Sequence, residues 1–203
     1  WMMFLRRVAA VSYLNTVPFI YGIEHARLLR AALLLSPPAQ NVSSFVNGAA
    51  DIALLPVAAI PAIIDAQIVT SFCIGAHNPV RTVTIMCNEP IAEARRIYLD
   101  SHSRTSALLV KILCNELWHI EPEFVYLDDY SVVDRPLKND AFLLIGDKVF
   151  DYEGRFRLTY DLAERWEKMT GLPFVFAVWV ARPEVEDGVI DALQKSLEYG
   201  VAH

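Results

Sequence analysis

Apolar and polar positions come in short blocks along the chain, and the period of each block predicts an element. Residues 7–14 alternate loosely and are rich in strand formers, which predicts a first strand. They run into Asn15-Thr16-Val17-Pro18, where Asn15 suits a helix cap and Pro18 falls slightly deeper than the first helical position. A helix is expected over about 23–35, stopped by Pro37-Pro38. Residues 43–48 read as a short helix closed by Gly48, and 51–55 as an apolar strand ending at Pro56. A second short helix over 58–64 leads to a strand over 68–74.

The alternation resumes with strands over 82–87 and 95–99. The polar turn 100–106 opens an amphipathic helix over 106–118, with apolar Leu108, Leu109, Ile112, Leu113 and Leu117. A strand over 124–127, a helix over 130–135 and a strand over 141–146 follow. A helix over 161–170 stops at Gly171-Leu172-Pro173, and the chain ends with a strand over 174–181 and a helix over 186–199. Strands alternating with helices mean an α/β fold with a largely parallel sheet. Residues 87–174 can form a strand–helix–strand set of their own, which leaves 174–181 free to return to the first sheet. The expected organisation is therefore two lobes, 1–86 plus 175–203 and 87–174, with crossovers near Met86 and Phe174. Ligands of such sheets bind at the carboxyl ends of strands, in a cleft between the lobes.

Composition narrows the class. The 203 residues are 54% hydrophobic and 21% charged, enough for a sizeable core and far from a disordered chain. The net charge of −6 argues against nucleic acid as a partner. The longest uncharged apolar run, 52–64, is broken by Pro56 and Pro61 and is too short to span a bilayer. Arg6-Arg7 is not followed by a long apolar stretch, so no secretory signal and no membrane partner are expected, and residence is expected to be cytoplasmic. Cys73, Cys87 and Cys114 form no C-x-x-C pair; neither a zinc site nor a redox motif is indicated, and buried reduced thiols are expected.

Four strand-to-helix corners gather the candidate chemistry: Ser12-Tyr13-Leu14-Asn15-Thr16, Leu55-Pro56, Pro79-Val80-Arg81-Thr82 and Ser103-Arg104-Thr105-Ser106. The last is the best anion site on physical grounds, since hydroxyls cluster at a helix start whose free N–H groups favour a carboxylate or phosphate. Ordinary capping by Ser103 or Thr105 explains the same residues. Asn15 reads as a cap or as an amide facing substrate, Thr82 as a strand residue, and Asp51 as a turn residue. Asp147 follows an apolar strand and Gly146, as a site acid or a turn residue. No HExxH, GxSxG, GxGxxG or Walker loop occurs, and of the histidines only His77 and His102 fall near the corners. Trp166, Phe174, Phe176 and Trp179 read as core, with Phe176 also suited to lining a crossover.

Taken together and in order, several of these stretches resemble a known family. They are Val11-Ser12-Tyr13-Leu14-Asn15-Thr16, Asp51-Ile52-Ala53-Leu54-Leu55-Pro56, Pro79-Val80-Arg81-Thr82-Val83, Ser103-Arg104-Thr105-Ser106 and Leu144-Ile145-Gly146-Asp147. The last is Tyr160-Asp161-Leu162 with Trp166 and the run Met169-Thr170-Gly171-Leu172-Pro173-Phe174-Val175-Phe176-Ala177-Val178-Trp179. The set resembles the chorismate dehydratases of the futalosine route to menaquinone, the MqnA family. The resemblance implies a two-lobed, periplasmic-binding-protein-like (type II) fold with two crossover strands. It implies a cytoplasmic lyase that removes water from chorismate to give 3-(1-carboxyvinyloxy)benzoate, with no metal or organic cofactor. Carried over residue by residue, Asn15 is the chief catalytic amide, and Thr82 stands where the family more often has Ser. Ser103, Arg104, Thr105 and Ser106 match the anion-binding turn, and Asp147 matches the acid after the Ile-Gly pair. The family usually continues past Tyr199 with further helices, and 23–51 is shorter here than usual; a homodimer is compatible with the chain.

Chorismate carries two carboxylates, so an acidic chain needs two local anion sites. The start of the helix at 103–106 suits one; Arg81, or backbone N–H groups near Asn15 and Pro56, suits the other. Tyr13 and Phe176 complete the expected substrate contacts. The matched motifs hold no histidine, so the substrate's own enolpyruvyl carboxylate is expected to take the ring proton while Asn15 and Thr82 orient it. The competing expectation makes Asp147 the general base. Two other functions remain open here. The sister enzyme forming 1,4-dihydroxy-6-naphthoate resembles a His-Glu pair where this chain has Gly146-Asp147, and a non-catalytic small-anion binding protein would share the fold.

Overall fold

A strand covered on both faces is apolar at nearly every position, and two such strands organise the protein. The computed structural model describes residues 5–101 and 103–203. Its strands are β1 (Arg6–Ala10), β2 (Ala31–Leu35), β3 (Ile52–Pro56), β4 (Gln67–Ala76), β5 (Val83–Cys87), β6 (Arg96–Asp100), β7 (Glu123–Leu127), β8 (Asp140–Ile145), β9 (Leu158–Asp161) and β10 (Phe174–Ala181). The helices are α1 (Val17–His25), α2 (Pro38–Val46), α3 (Arg104–Leu113), α4 (Leu162–Thr170) and α5 (Asp187–Ala202). The first sheet has the order β2-β1-β3-β10-β4 and the second β7-β6-β8-β5-β9, so the fully buried β3 and β8 lie at the two sheet centres.

The chain divides into two compact units, one made of the residues up to Ile74 with Val175–His203, the other of Gly75–Phe174. The first division falls earlier than the expected one after Met86. The reason is β5, whose residues pair antiparallel with β8 on one side (Val83 with Ile145) and β9 on the other (Thr84 with Asp161). Neither sheet is purely parallel: β1 runs parallel to β2 and β3, and β6 to β7 and β8, while β10 runs antiparallel to β3.

Alternation along β1 sorts the first core into two layers. Val8 and Ala10 meet Phe19 and Ile23 of α1, Leu193 and Leu197 of α5, and Trp179. Ala9 meets Val42 and Phe45 of α2 on the other face. In the second unit Met86, Tyr98, Phe142 and Leu144 share one face with Leu127, Val133 and Val149. Arg7 ties β1 to the residue preceding β3, its backbone N–H 2.8 Å and its guanidinium 2.5 Å from the Asp51 carboxylate. Burial alone would raise the Asp51 carboxyl; the bonds from Arg7 outweigh it and hold the group below its ordinary value.

The expected helix over 23–35 is corrected. Arg27 adopts a left-handed φ of 57°, which ends α1, and Ala31–Leu35 extends as an edge strand beside β1. The first strand stops at Ala10, short of the expected Leu14, and a 3-10 turn at Leu14–Thr16 follows. Helix α2 starts five residues before the expected position, at Pro38. The expected helix over 130–135 is a single 3-10 turn, Tyr130–Val132. Strand β9 was not foreseen: it is four residues long, at a sheet edge, and carries Thr159 and Asp161.

Two helices approach closely enough for their backbones to touch. A Cβ added at Gly22 of α1 would lie 2.0 Å from the Ser196 carbonyl oxygen, and one at Gly200 of α5 would lie 1.9 Å from the Pro18 carbonyl oxygen. No side chain fits at either position. Gly200→Ala is therefore expected to cost about 3 kcal/mol or more, since the helices must separate. Chemical denaturation of wild type and variant measures the difference.

All three thiols are free. Cys87 and Cys114 are buried as expected; Cys73 is exposed, because β4 is an edge strand and turns this residue outward. Burial, with Glu89 adding to it, pushes the Cys87 thiol up to about 11, and burial pushes Cys114 up to about 12. A thiol reagent at pH 8 should label Cys73 in the native protein and reach Cys87 and Cys114 only after unfolding, as peptide mass mapping will show.

Candidate functional site

In the first unit the carboxyl end of β1 leads into the turn that carries Tyr13 and Asn15. Thr16, 1% exposed, clips this turn: its hydroxyl donates to the Val11 carbonyl and lies 2.7 Å from the Tyr13 carbonyl. With the turn closed from beneath, Asn15 is exposed, and its amide has no hydrogen-bond partner among the described residues. Tyr13 is half-buried. The register Ala9–Ala53 brings the end of β3 to the same sheet end, where Pro56 is buried and pairs with Ala177 of β10. Phe176 precedes Ala177 and is buried. Sheet register thus gathers Tyr13, Asn15, Pro56 and Phe176 at one end of the first sheet.

The second unit makes a corresponding set. Thr82 enters β5 while Asp147 leaves β8, and the antiparallel pairing sets them side by side: the Gly146 N–H donates to the Thr82 carbonyl at 2.8 Å. Gly146 has φ 70° and ψ −161°, a conformation open essentially to glycine alone. Asp147 is half-buried and its carboxylate has no partner among the described residues. Strand β6 runs parallel to β8, with Tyr98 beside Phe142, so the corner that opens α3 lies at the same sheet end.

At that corner Ser103 is a cap: its hydroxyl accepts the Ser106 N–H at 3.1 Å. Ser103, Thr105 and Ser106 are buried, whereas Arg104 is exposed and has no ion-pair partner among the described residues. Arg81 stands in a left-handed conformation, φ 63°, with its N–H donating to the Asp161 carboxylate at 2.6 Å. Its guanidinium meets Glu153 at 2.9 Å and lies 5.9 Å from the centre of the Phe150 ring. That ion pair is exposed and exchanges readily with solvent or another carboxylate.

Three groups here escaped the reading of the sequence. Asp161 both anchors Arg81 and caps α4, accepting the Glu164 N–H at 3.1 Å. Lys148 and Asp100 form an ion pair at 2.5 Å, with Asp100 fully buried at the end of β6. The signal was present: a charged residue closing an apolar strand needs a partner, and Lys148 directly follows the strand-end Asp147. Of the histidines near the corners, His77 is exposed, 3.9 Å from Glu167, and His102 lies outside the described residues. Among the described residues no three or more His, Cys, Asp or Glu gather as metal ligands, and no helix is long and apolar enough to cross a membrane. Chemically the first set supplies an amide and aromatic surface, and the second hydroxyl and N–H donors, exposed arginines and a carboxylate without a partner among the described residues.

Comparison with known proteins places the chain in a group. The profile of a family described as menaquinone biosynthesis matches residues 6–203. Protein AF1704 from Archaeoglobus fulgidus is similar in structure, with a TM-score of 0.77 and 15% identity over 98% of this chain and 75% of that one. YhfZ from Shigella flexneri follows at 0.68 and 16%, covering 98% and 87%. The periplasmic aliphatic sulphonate binding protein SsuA from Escherichia coli gives 0.64 and 15%, covering 98% and 74%. These likenesses show a shared α/β fold, that of the periplasmic binding proteins.

The cap at α3 is open to test. Ser103→Ala is expected to lower stability by about 1 kcal/mol, and Ser103→Asp to restore most of it. Denaturant titration followed by a probe in the second unit measures both.

Proposed function

The chain belongs to the menaquinone biosynthesis family, and from that premise we propose that it is a chorismate dehydratase, a lyase that eliminates water from chorismate to give 3-(1-carboxyvinyloxy)benzoate. The observation that carries the reading is the family match over residues 6–203. The donor sets at the two sheet ends support it, because chorismate is a dicarboxylate and each set offers groups that favour carboxylates.

In this reading the amino end of α3, with Ser103, Arg104, Thr105 and Ser106, takes one substrate carboxylate. The helix dipole and backbone N–H groups favour it there, and Arg104 has no competing ion pair among the described residues. Arg81 takes the other by exchanging its exposed pairing with Glu153. Tyr13, Pro56 and Phe176 supply apolar and aromatic surface to the ring and the enolpyruvyl group. The reaction removes a ring proton and a neighbouring hydroxyl, and the ring becomes aromatic. Aromatisation supplies the driving force, so the protein contributes mainly orientation and preorganised hydrogen bonds. The substrate's enolpyruvyl carboxylate accepts the proton. The Asn15 amide, held outward by the Thr16 clip, orients that carboxylate, and the Thr82 hydroxyl donates to the departing hydroxyl.

The test is to incubate the purified chain with chorismate and separate the products by liquid chromatography with mass detection. The expected product is lighter by one water, has an aromatic ultraviolet spectrum and is absent without protein. Unchanged chorismate would sink the reading, and chorismate bound without turnover would replace it with a binding function. Within an active protein, Asn15→Ala should lower kcat by about 10²–10³-fold, and Asp147→Asn should retain near-normal turnover. The opposite pattern would make Asp147 the general base.

A further inference from the structure

We propose that Lys148 is a positioning residue that holds the Asp147 turn and the amino end of α3 in one fixed geometry; the inference rests on the chemical reading above. Three of the connections that leave the carboxyl end of the second sheet run after Asp100 of β6, through Tyr130 after β7, and through Asp147 after β8. A single ammonium group meets all three. The Lys148 Nζ lies 2.5 Å from Asp100 Oδ2, donates to the Tyr130 hydroxyl and sits 4.5 Å from the centre of the Tyr130 ring.

The environment makes this contact unlike a surface ion pair. The Asp100 side chain is 0% exposed and that of Lys148 25% exposed. A carboxylate withdrawn from water needs a partner to stay ionised, so the pair fixes both residues in place. Lys148 directly follows Asp147, and Asp100 stands three residues before the Ser103 cap. The pair therefore couples the substrate-binding start of α3 to the turn after Gly146, whose N–H holds the Thr82 carbonyl. Neither member of the pair is given a substrate contact in that reading.

Removing Lys148 alone takes a counter-charge from the buried Asp100, and a lost activity would then reflect unfolding. The deciding protein is the paired variant Asp100→Asn/Lys148→Met, which removes both charges at similar volume. It is expected to unfold at a denaturant midpoint near that of wild type. Its kcat for chorismate should fall by about 100-fold, with KM changed far less, as expected when groups move by about 1 Å. Amide hydrogen exchange in the substrate-free protein should quicken together at 103–106 and 147–152. Full turnover with unchanged exchange would overturn the proposal, leaving Lys148 only the task of neutralising Asp100. If the paired variant does not fold, Lys148→Arg decides by the same readouts, because it keeps Asp100 paired while shifting the charge. A wild-type chain inactive on chorismate removes the chemical reading, and the exchange measurement still decides the positioning role.

Discussion

The packing of the first unit depends on α5 lying with its backbone against that of α1. Its residues come from two stretches of chain, and the second returns through β10 and α5. Strand β10 pairs with β3 at the sheet centre, and α5 then covers one face of the sheet together with α1. Gly22 and Gly200 allow that cover, since neither site has room for a methyl group. Tight contact between backbones lets Leu193 and Leu197 reach the sheet beside Phe19 and Ile23, so two helices share one apolar layer with Trp179. The sheet end that carries Tyr13, Asn15, Pro56 and Phe176 is fixed by the same layer.

Most of the polar groups at the two sheet ends are occupied by holding the backbone. Thr16 closes the turn below Asn15, Ser103 caps α3, and Asp161 caps α4 while fixing Arg81. Each is a buried polar group whose unmet bond would cost about 1–3 kcal/mol, so each has little freedom to do anything else. Asn15, Arg104 and Asp147, by contrast, hold no side-chain partner among the described residues. Backbone-holding and unpartnered side chains are thereby neighbours in sequence: Thr16 beside Asn15, Ser103 beside Arg104, Lys148 beside Asp147.

Much of the fold was legible in the sequence, and the failures have physical causes. The strands at 52–56, 83–87, 140–145 and 174–181 are continuous apolar runs bounded by turn residues, and such runs are hard to misplace. Residues 31–35 failed because an Ala-Leu run favours helix by propensity; the left-handed Arg27 and pairing with β1 overrode it. The assignment of 83–87 to the second sheet was invisible, since pairing partners are not written in a strand's own residues. In the candidate site the corners were readable from turn chemistry, and of the two caps the sequence offered, Ser103 and Thr105, Ser103 accepts the Ser106 N–H. Asp100 at the end of an apolar strand signalled the need for a partner, but that Lys148 supplies it, forty-eight positions on, is decided by tertiary pairing alone.

The division of the first unit also sets an order of events during synthesis. The second unit is one uninterrupted stretch, Gly75–Phe174, and all its strand partners are present once that stretch has left the ribosome. The amino-terminal part of the first unit emerges earlier, yet β3 waits about a hundred residues for β10, and α1 waits longer for α5. Through that interval the apolar faces of β3 and α1 lack their final cover and are open to non-native association. The first unit thus completes its structure only after the second unit's strands are all present.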